Sequence, residues 1–406
     1  MDLYFHTLPN GIKLVHLEST SQVAHCGFFI NTGSRDEELN EHGMAHFIEH
    51  LIFKGTSKRK AFHILSRMED VGGEVNAYTT KEETCVHTSF LVDYYDRALE
   101  LIADIFFHST FPEKAIETER EVILDEINSY KDSPSEQICD DFEDQVFFDH
   151  PLGRNILGAP ACLQSINREL ILSFIQRCYN TDQMVLTSVG NISFPKIKHM
   201  FEKYFQDIPS NHRKVKRLPF SNYQVSNKEF VFDTNQVHVT LGGMAYNLAD
   251  DRRMALHLLT NILAGPGMIS RLNLALREKY GYSYNVESNF SPFTDSGIFS
   301  VYFSTDKDYV SKCLDVVYSE FLKLQNNLLG DIQLKKAKQQ IIGQLAISFE
   351  SLENQMLSIG KSYLVYGKVD SMETIYKKIE SITAAQLRDI ANDILQRDKL
   401  SSLIFK

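Results

Sequence analysis

Apolar positions recur along this chain with two periods. Alternating or short continuous apolar runs predict strands near 4–7, 12–17, 23–32, 73–80, 83–92 and 184–190. Apolar residues three and four apart predict helices near 41–55, 60–70, 93–108, 113–130, 135–148 and 168–178. Pro9-Asn10-Gly11 is a turn signal between the first two strands. Strands and helices are mixed without strict alternation, so the expected class is α+β.

The pattern repeats. FIEHLIF at 47–53 aligns with LLTNILA at 258–264. The segment opening GEVNAYTT has a counterpart opening YSYNVESN, and each reads as strand, strand, amphipathic helix. EREVILDEINSYKDSPSEQ at 119–137 aligns without gaps to AKQQIIGQLAISFESLENQ at 337–355. Two related αβ domains are therefore expected, 1–210 and 221–406. The basic, aperiodic stretch at 211–220 joins them.

One predicted helix carries His46-Phe47-Ile48-Glu49-His50. At about 100° per residue, His50 lies near +40° and Glu49 near −60° from His46. Both imidazoles and the carboxylate share one side of the helix. Two His at this spacing can grip one Zn²⁺, and an adjacent Glu can act on water. Phe47, Ile48, Leu51 and Ile52 form the apolar face that seats the helix. A pentapeptide alone fits a solvated helix face as well.

A catalytic zinc site needs a third protein ligand. Glu126 is a candidate, in a segment whose Val122, Ile123 and Ile127 form an expected buried stripe. Glu119 lies seven residues earlier, about 20° off the same line, where it could orient a His ring. Spacing alone leaves both as candidates against a background of ordinary surface glutamates. The aligned second repeat has His257, Thr260, Asn261, Gln344 and Ala337 at the positions of His46, Glu49, His50, Glu126 and Glu119. It keeps the scaffold and lacks the set, so His257 reads as a core or surface residue.

With these residues stand EHG at 41–43, FKGT at 53–56, GGEVNAYT at 72–79 and PLGRNILG at 151–158. Together they resemble the pitrilysin-type (M16) zinc peptidases, and among them the processing-peptidase branch most. The resemblance covers essentially the whole chain and implies a zinc-dependent endopeptidase. It implies one Zn²⁺ per chain on His46, His50 and Glu126, with Glu49 as general base and Glu119 as the second acidic position. It implies that Arg277 and Tyr284, in LREKYGYSYNV, reach the site from the second half. Asn76 and Ala77 fall in the strand expected to take up a peptide as an extra strand. Glu136 and Asp140 fall where a substrate Arg near the cut is held. The two halves are expected to face each other as a clamshell. One chain supplies one clamshell, so it should pair as a homodimer, or as a heterodimer with a related chain.

Composition narrows the alternatives. With 42 Lys and Arg against 53 Asp and Glu, the net charge of −11 argues against nucleic acid. No apolar run reaches about 18 residues, so no membrane span is expected. MDLYFHTLPNGIKLV has no basic segment followed by an apolar one, so it reads as strand and turn, not as a leader. Six Cys without CxxC spacing are expected as reduced, buried thiols of a cytoplasmic protein. The intact His46/Glu49/His50/Glu126 set argues against a non-catalytic subunit. The lack of Cys in the motif argues against a structural zinc protein.

Overall fold

The computed structural model describes residues 3–214, 216–232 and 234–406. Val215, inside the expected linker, lies outside the described residues. The first repeat runs β1 (Leu3–Thr7), β2 (Lys13–Glu18), β3 (Val23–Ile30), α1 (Met44–Leu51), α2 (Ala61–Glu69), β4 (Glu74–Thr79) and β5 (Thr84–Leu91). It continues with α3 (Tyr95–Phe107), α4 (Glu113–Lys131), α5 (Pro134–Val146), α6 (Pro160–Ser165), α7 (Arg168–Cys178), β6 (Met184–Gly190) and α8 (Phe194–Phe205). The second runs β7 (Asn227–Phe230), β8 (Val237–Met244), α9 (Arg253–Ala264), β9 (Val286–Pro292), β10 (Gly297–Thr305), α10 (Val310–Asn326), α11 (Asp331–Phe349) and α12 (Leu352–Tyr366). It closes with α13 (Met372–Ser381), α14 (Ala384–Ile394) and β11 (Ser401–Phe405). The class is α+β, as expected.

The duplication is visible in the sheets. Sheet 1 has the order β1-β2-β6-β3-β5-β4, and sheet 2 the order β7-β11-β8-β10-β9. Each has one parallel pair, β2 with β6 and β11 with β7, among antiparallel neighbours. The aligned helices α4 and α11 are both 19 residues long.

The described residues form two compact units, and neither is contiguous. Unit 1 holds the residues up to Ile127, then Arg154–Arg217 and Ile347–Val369. Unit 2 holds Asn128–Gly153, Leu218–Ala346 and Asp370–Lys406. The two repeats have traded helices. Helix α12, from the second repeat, packs on β6 and β3 of sheet 1, and α5, from the first, packs on β8, β11 and β10 of sheet 2.

In unit 1 the larger core lies between sheet 1 and α1, α3, α4, α7 and α8, with Phe28, Phe47, Leu99, Phe174 and Phe205 all fully buried. The other face of sheet 1 closes on α12 through Met356 and Ile359, against Val15, Phe29 and Val185. In unit 2 one face of sheet 2 packs on α9, α10 and α14. The other takes α5 through Ile138, Phe142 and Val146.

Three expectations are corrected here. Helix α1 starts at Met44, not near 41, because Gly43 is left-handed with φ of 100° and residues 39–41 form a separate 3₁₀ turn. Val122 is 44% exposed, and the buried stripe of α4 is Ile116, Glu119, Ile123 and Ile127. Cysteines 26, 85, 178 and 313 are buried, but Cys139 is exposed, and all six are free. Among the described residues no helix is long and apolar enough to cross a membrane.

The α12 contact is tight enough to test. A Cβ on Gly360 would lie 2.1 Å from the Phe29 ring, whereas one on Gly343 in α11 meets nothing within 4 Å. Gly360→Ala should destabilise unit 1 by about 1–3 kcal/mol through overpacking. Gly343→Ala should stabilise its helix by roughly 0.5–1 kcal/mol. Urea unfolding of the two variants checks the pair. Equal effects would mean that the α12 seat is looser than described.

Candidate metal centre

Helix α1 is only two turns long, and its apolar side is sealed: Met44, Phe47, Ile48 and Leu51 are fully buried. That leaves His46, Glu49 and His50 on the remaining side. Their rings sit close, with His46 and His50 centroids 4.6 Å apart. Helix α4 brings the third group. Glu126 Oε2 lies 3.2 Å from His46 Nε2 and 3.8 Å from His50 Nε2. All three ligand atoms fall within 4.8 Å of one another. Tetrahedral arms of about 2.0–2.1 Å require neighbouring ligand atoms roughly 3.4 Å apart, so the residues fit one Zn²⁺.

The outer contacts select the right nitrogen. His50 Nδ1 donates to Glu119 Oε2 at 3.2 Å, which leaves Nε2 with its lone pair towards Glu126. Glu119 sits inside the apolar stripe of α4 and is buried, so it needs a charged partner. Lys54 supplies one, with Nζ 2.8 Å from Glu119 Oε1. Glu49 points the other way. Its Oε2 is 3.8 Å from His46 Nδ1 and is buried without a hydrogen-bond donor from the protein. A buried carboxylate oxygen left unpaired is costly unless a further group meets it. A water beside the three ligands would do so.

The charge balance of the metal-free cluster follows. Burial is the largest single effect on His46 and lowers its pKa. The hydrogen bond with Glu126 and the charges of Glu126 and Glu49 together outweigh it and raise the group to about 9. Glu126 is lowered, chiefly by its hydrogen bond to His46.

Matches to known proteins agree with this geometry. Residues 14–160 match the family model described as insulinase (peptidase family M16), and residues 165–341 match the M16 peptidase inactive domain. The uncharacterized zinc protease YmxG of Bacillus subtilis is 31% identical over 98% of this chain and 97% of its own length. The chain belongs to peptidase family M16. An uncharacterized zinc protease of Rickettsia felis is 34% identical, covering 98% of this chain and 96% of its own. The crystal structure of a protease from Helicobacter pylori shares the fold with a TM-score of 0.92 at 20% identity, over 100% of this chain and 99% of that one.

Unit 1 of this M16 chain thus gathers five of the residues singled out from sequence: His46, Glu49, His50, Glu119 and Glu126. Asn76 and Ala77 are also in unit 1, on β4, which is the edge strand of sheet 1. Val75 and Ala77 pack on the core that holds α1, so strand alternation puts Asn76 on the opposite face. Unit 2 holds the others. Arg277 lies in a π-helical turn, Asn273–Lys279, and Tyr284 is 75% exposed. Both line a hollow of about 370 Å³ with Met268, Asn273 and Glu287. Glu136 is exposed on α5, and Asp140 Oδ2 accepts from Tyr130 Oη at 2.9 Å. His257 is half-buried on α9: its ring lies 4.6 Å from Phe290, and burial pushes its pKa down to about 4. Sequence reasoning missed Lys54, although it stands in the FKGT motif.

The His46 shift predicts a pH dependence for the metal-free protein. The folded value is above the ordinary 6.5, so the protonated ring stabilises the fold. That contribution is fully present below pH 6.5 and is lost as pH rises through about 9. In chelator, Tm should therefore fall across this window, and Glu126→Gln should flatten the slope. A metal-free Tm that is constant from 6.5 to 9 would contradict the pairing.

Proposed function

We propose that this chain is a zinc-dependent endopeptidase, with His46, His50 and Glu126 as the ligands of one Zn²⁺. The observation that carries this reading is the convergence of two imidazole nitrogens and one carboxylate beside an unpaired, buried Glu49 oxygen. Bound zinc would lower the pKa of a water and polarise a peptide carbonyl. Glu49 would take the proton at Oε2 and return it to the leaving amine. Glu119 and Lys54 keep the His50 ring turned so that Nε2 faces Glu126. Edge strand β4 offers free backbone groups, so a peptide can add to sheet 1 as a further strand.

The remaining assignments rest on the resemblance. Tyr284 would donate to the developing oxyanion, and Arg277 would hold substrate carbonyls. Their shared hollow and the exposure of Tyr284 are compatible with contact to a peptide. Asn76 would clamp a substrate carbonyl. An enclosed chamber, pairing with a second copy or a related chain, and a cytoplasmic location belong to the same reading.

Two experiments test it. Purified His50→Ala should lose most of its zinc. Glu49→Gln should keep zinc and substrate binding but lose about 10²–10⁴-fold in turnover. Stoichiometric zinc in the first variant would remove the ligand set, and near-normal turnover in the second would remove the base.

The specificity reading is separate. Glu136 and Asp140 stand one turn apart on α5, a spacing that suits one guanidinium. A cleavage map from a peptide library should show Arg, and less strongly Lys, two residues before the cut. The double variant Glu136→Gln/Asp140→Asn should lose that preference while cleaving uncharged peptides as before. An unchanged map would leave the two acids as a solvated face.

A further inference from the structure

The start of helix α1 is built without a capping side chain. Gly43 occupies the N-cap with φ of 100°. It cannot be anything larger. A Cβ there would lie 2.8 Å from Gly158 Cα, and Gly158, at φ of 91°, would place its own Cβ 2.5 Å from Gly43 Cα. The 151–158 loop therefore presses backbone to backbone on the helix start. His42 Nε2 bonds Asn155 O at 2.8 Å in the same contact. Only glycine fits, and glycine brings no side chain to satisfy the amide groups that the first turn leaves free.

Glu37 fills that role from outside the helix. Its Oε2 accepts from Gly43 N at 2.9 Å and its Oε1 from Ala45 N at 2.9 Å. The side chain is buried, which pushes its pKa up, while the two amides it accepts from and the charge of Arg154 favour the ionised form. The turn that carries it is itself pinned. Asp36 takes ion pairs from Arg213 at 2.5 Å and Arg217 at 2.7 Å. Arg154 Nη1 donates to the Glu37 carbonyl at 3.0 Å. So a buried carboxylate on a fixed turn holds the N-cap amide and the second amide of an eight-residue helix. His46 is the third residue of that helix and the next one after Ala45.

We propose that Glu37 is the positioning residue of this metal centre: its carboxylate replaces the missing N-cap and sets the register of helix α1. Its side-chain hydrogen bonds go to the Gly43 and Ala45 amides and to none of the three candidate metal ligands. It acts through the two amides, on the rise and rotation of the turn that aims His46 at Glu126. A carboxylate also suits the positive end of the helix dipole. Glutamine keeps the shape but offers only one accepting oxygen, so one of the two amides meets an N–H donor.

The proposal rests on the zinc reading given above, and the test separates the two. Zinc affinity of the full chain is measured by competition with a chromogenic chelator. Far-UV circular dichroism and Tm are recorded on the same metal-free samples. Glu37→Gln is expected to bind zinc about 10–100-fold more weakly, with altered ligand-field bands when Co²⁺ replaces zinc. Gly360→Ala is the control: it loosens unit 1 on the face of sheet 1 that α12 covers, not the core that seats α1, and should leave zinc affinity at the parental value. Should Glu37→Gln not fold, Glu37→Asp is measured instead, together with hydrogen exchange of the Gly43 and Ala45 amides. Its shorter arm should weaken zinc and speed exchange at these two positions. Parental zinc affinity in the folded Glu37 variant, or an equal loss in Gly360→Ala at matched stability, would overturn the proposal. A parent protein that binds no zinc would overturn the functional reading itself.

Discussion

Two turns of helix cannot by themselves hold two imidazoles at a fixed separation from a glutamate on another helix. Isolated helices of this length do not persist in water. Everything at the centre depends on how α1 is seated. Four fully buried side chains fix its rotation, and Glu37 fixes its start. The separation of 76 positions from His50 to Glu126 matters less than the shared core, because Ile116, Ile123 and Ile127 of α4 enter the same cluster as Phe47 and Ile48.

Electrostatics then sort the carboxylates around the site. Glu119 is buried and paired with Lys54, so it can hold the His50 ring without competing for the ligand position. Glu126 is half-exposed and faces both rings. Glu49 is left with an unpaired oxygen. In the metal-free protein a proton on His46 balances this crowd of negative charge. A divalent cation would do the same more strongly, displacing that proton as it binds.

Much of this was legible in the chain itself. Helical geometry puts His46, Glu49 and His50 on one side, and a seven-residue spacing aligns Glu119 with Glu126. The gapless repeat at 119–137 and 337–355 became two equivalent helix pairs, α4–α5 and α11–α12. What stayed hidden was non-local. Glu37 reads as one acid in a polar turn until Gly43 and Gly158 are seen in contact. Val122 fits the apolar stripe by type, yet the buried place one turn away is occupied by Glu119. Nothing in the periodicity of α5 or α12 says which sheet each will cover.

The traded helices also order events in time. Sheet 1 has its last strand, β6, complete at Gly190, but the helix that dries its second face ends at Tyr366. During synthesis, Val15, Phe29 and Val185 therefore wait in water, or in some transient partner's grasp, until nearly the entire chain has emerged. Contacts of such long sequence separation form slowly and leave apolar surface open to aggregation meanwhile. The nascent chain thus carries its hazard at one defined place, the face of sheet 1 that α12 will cover.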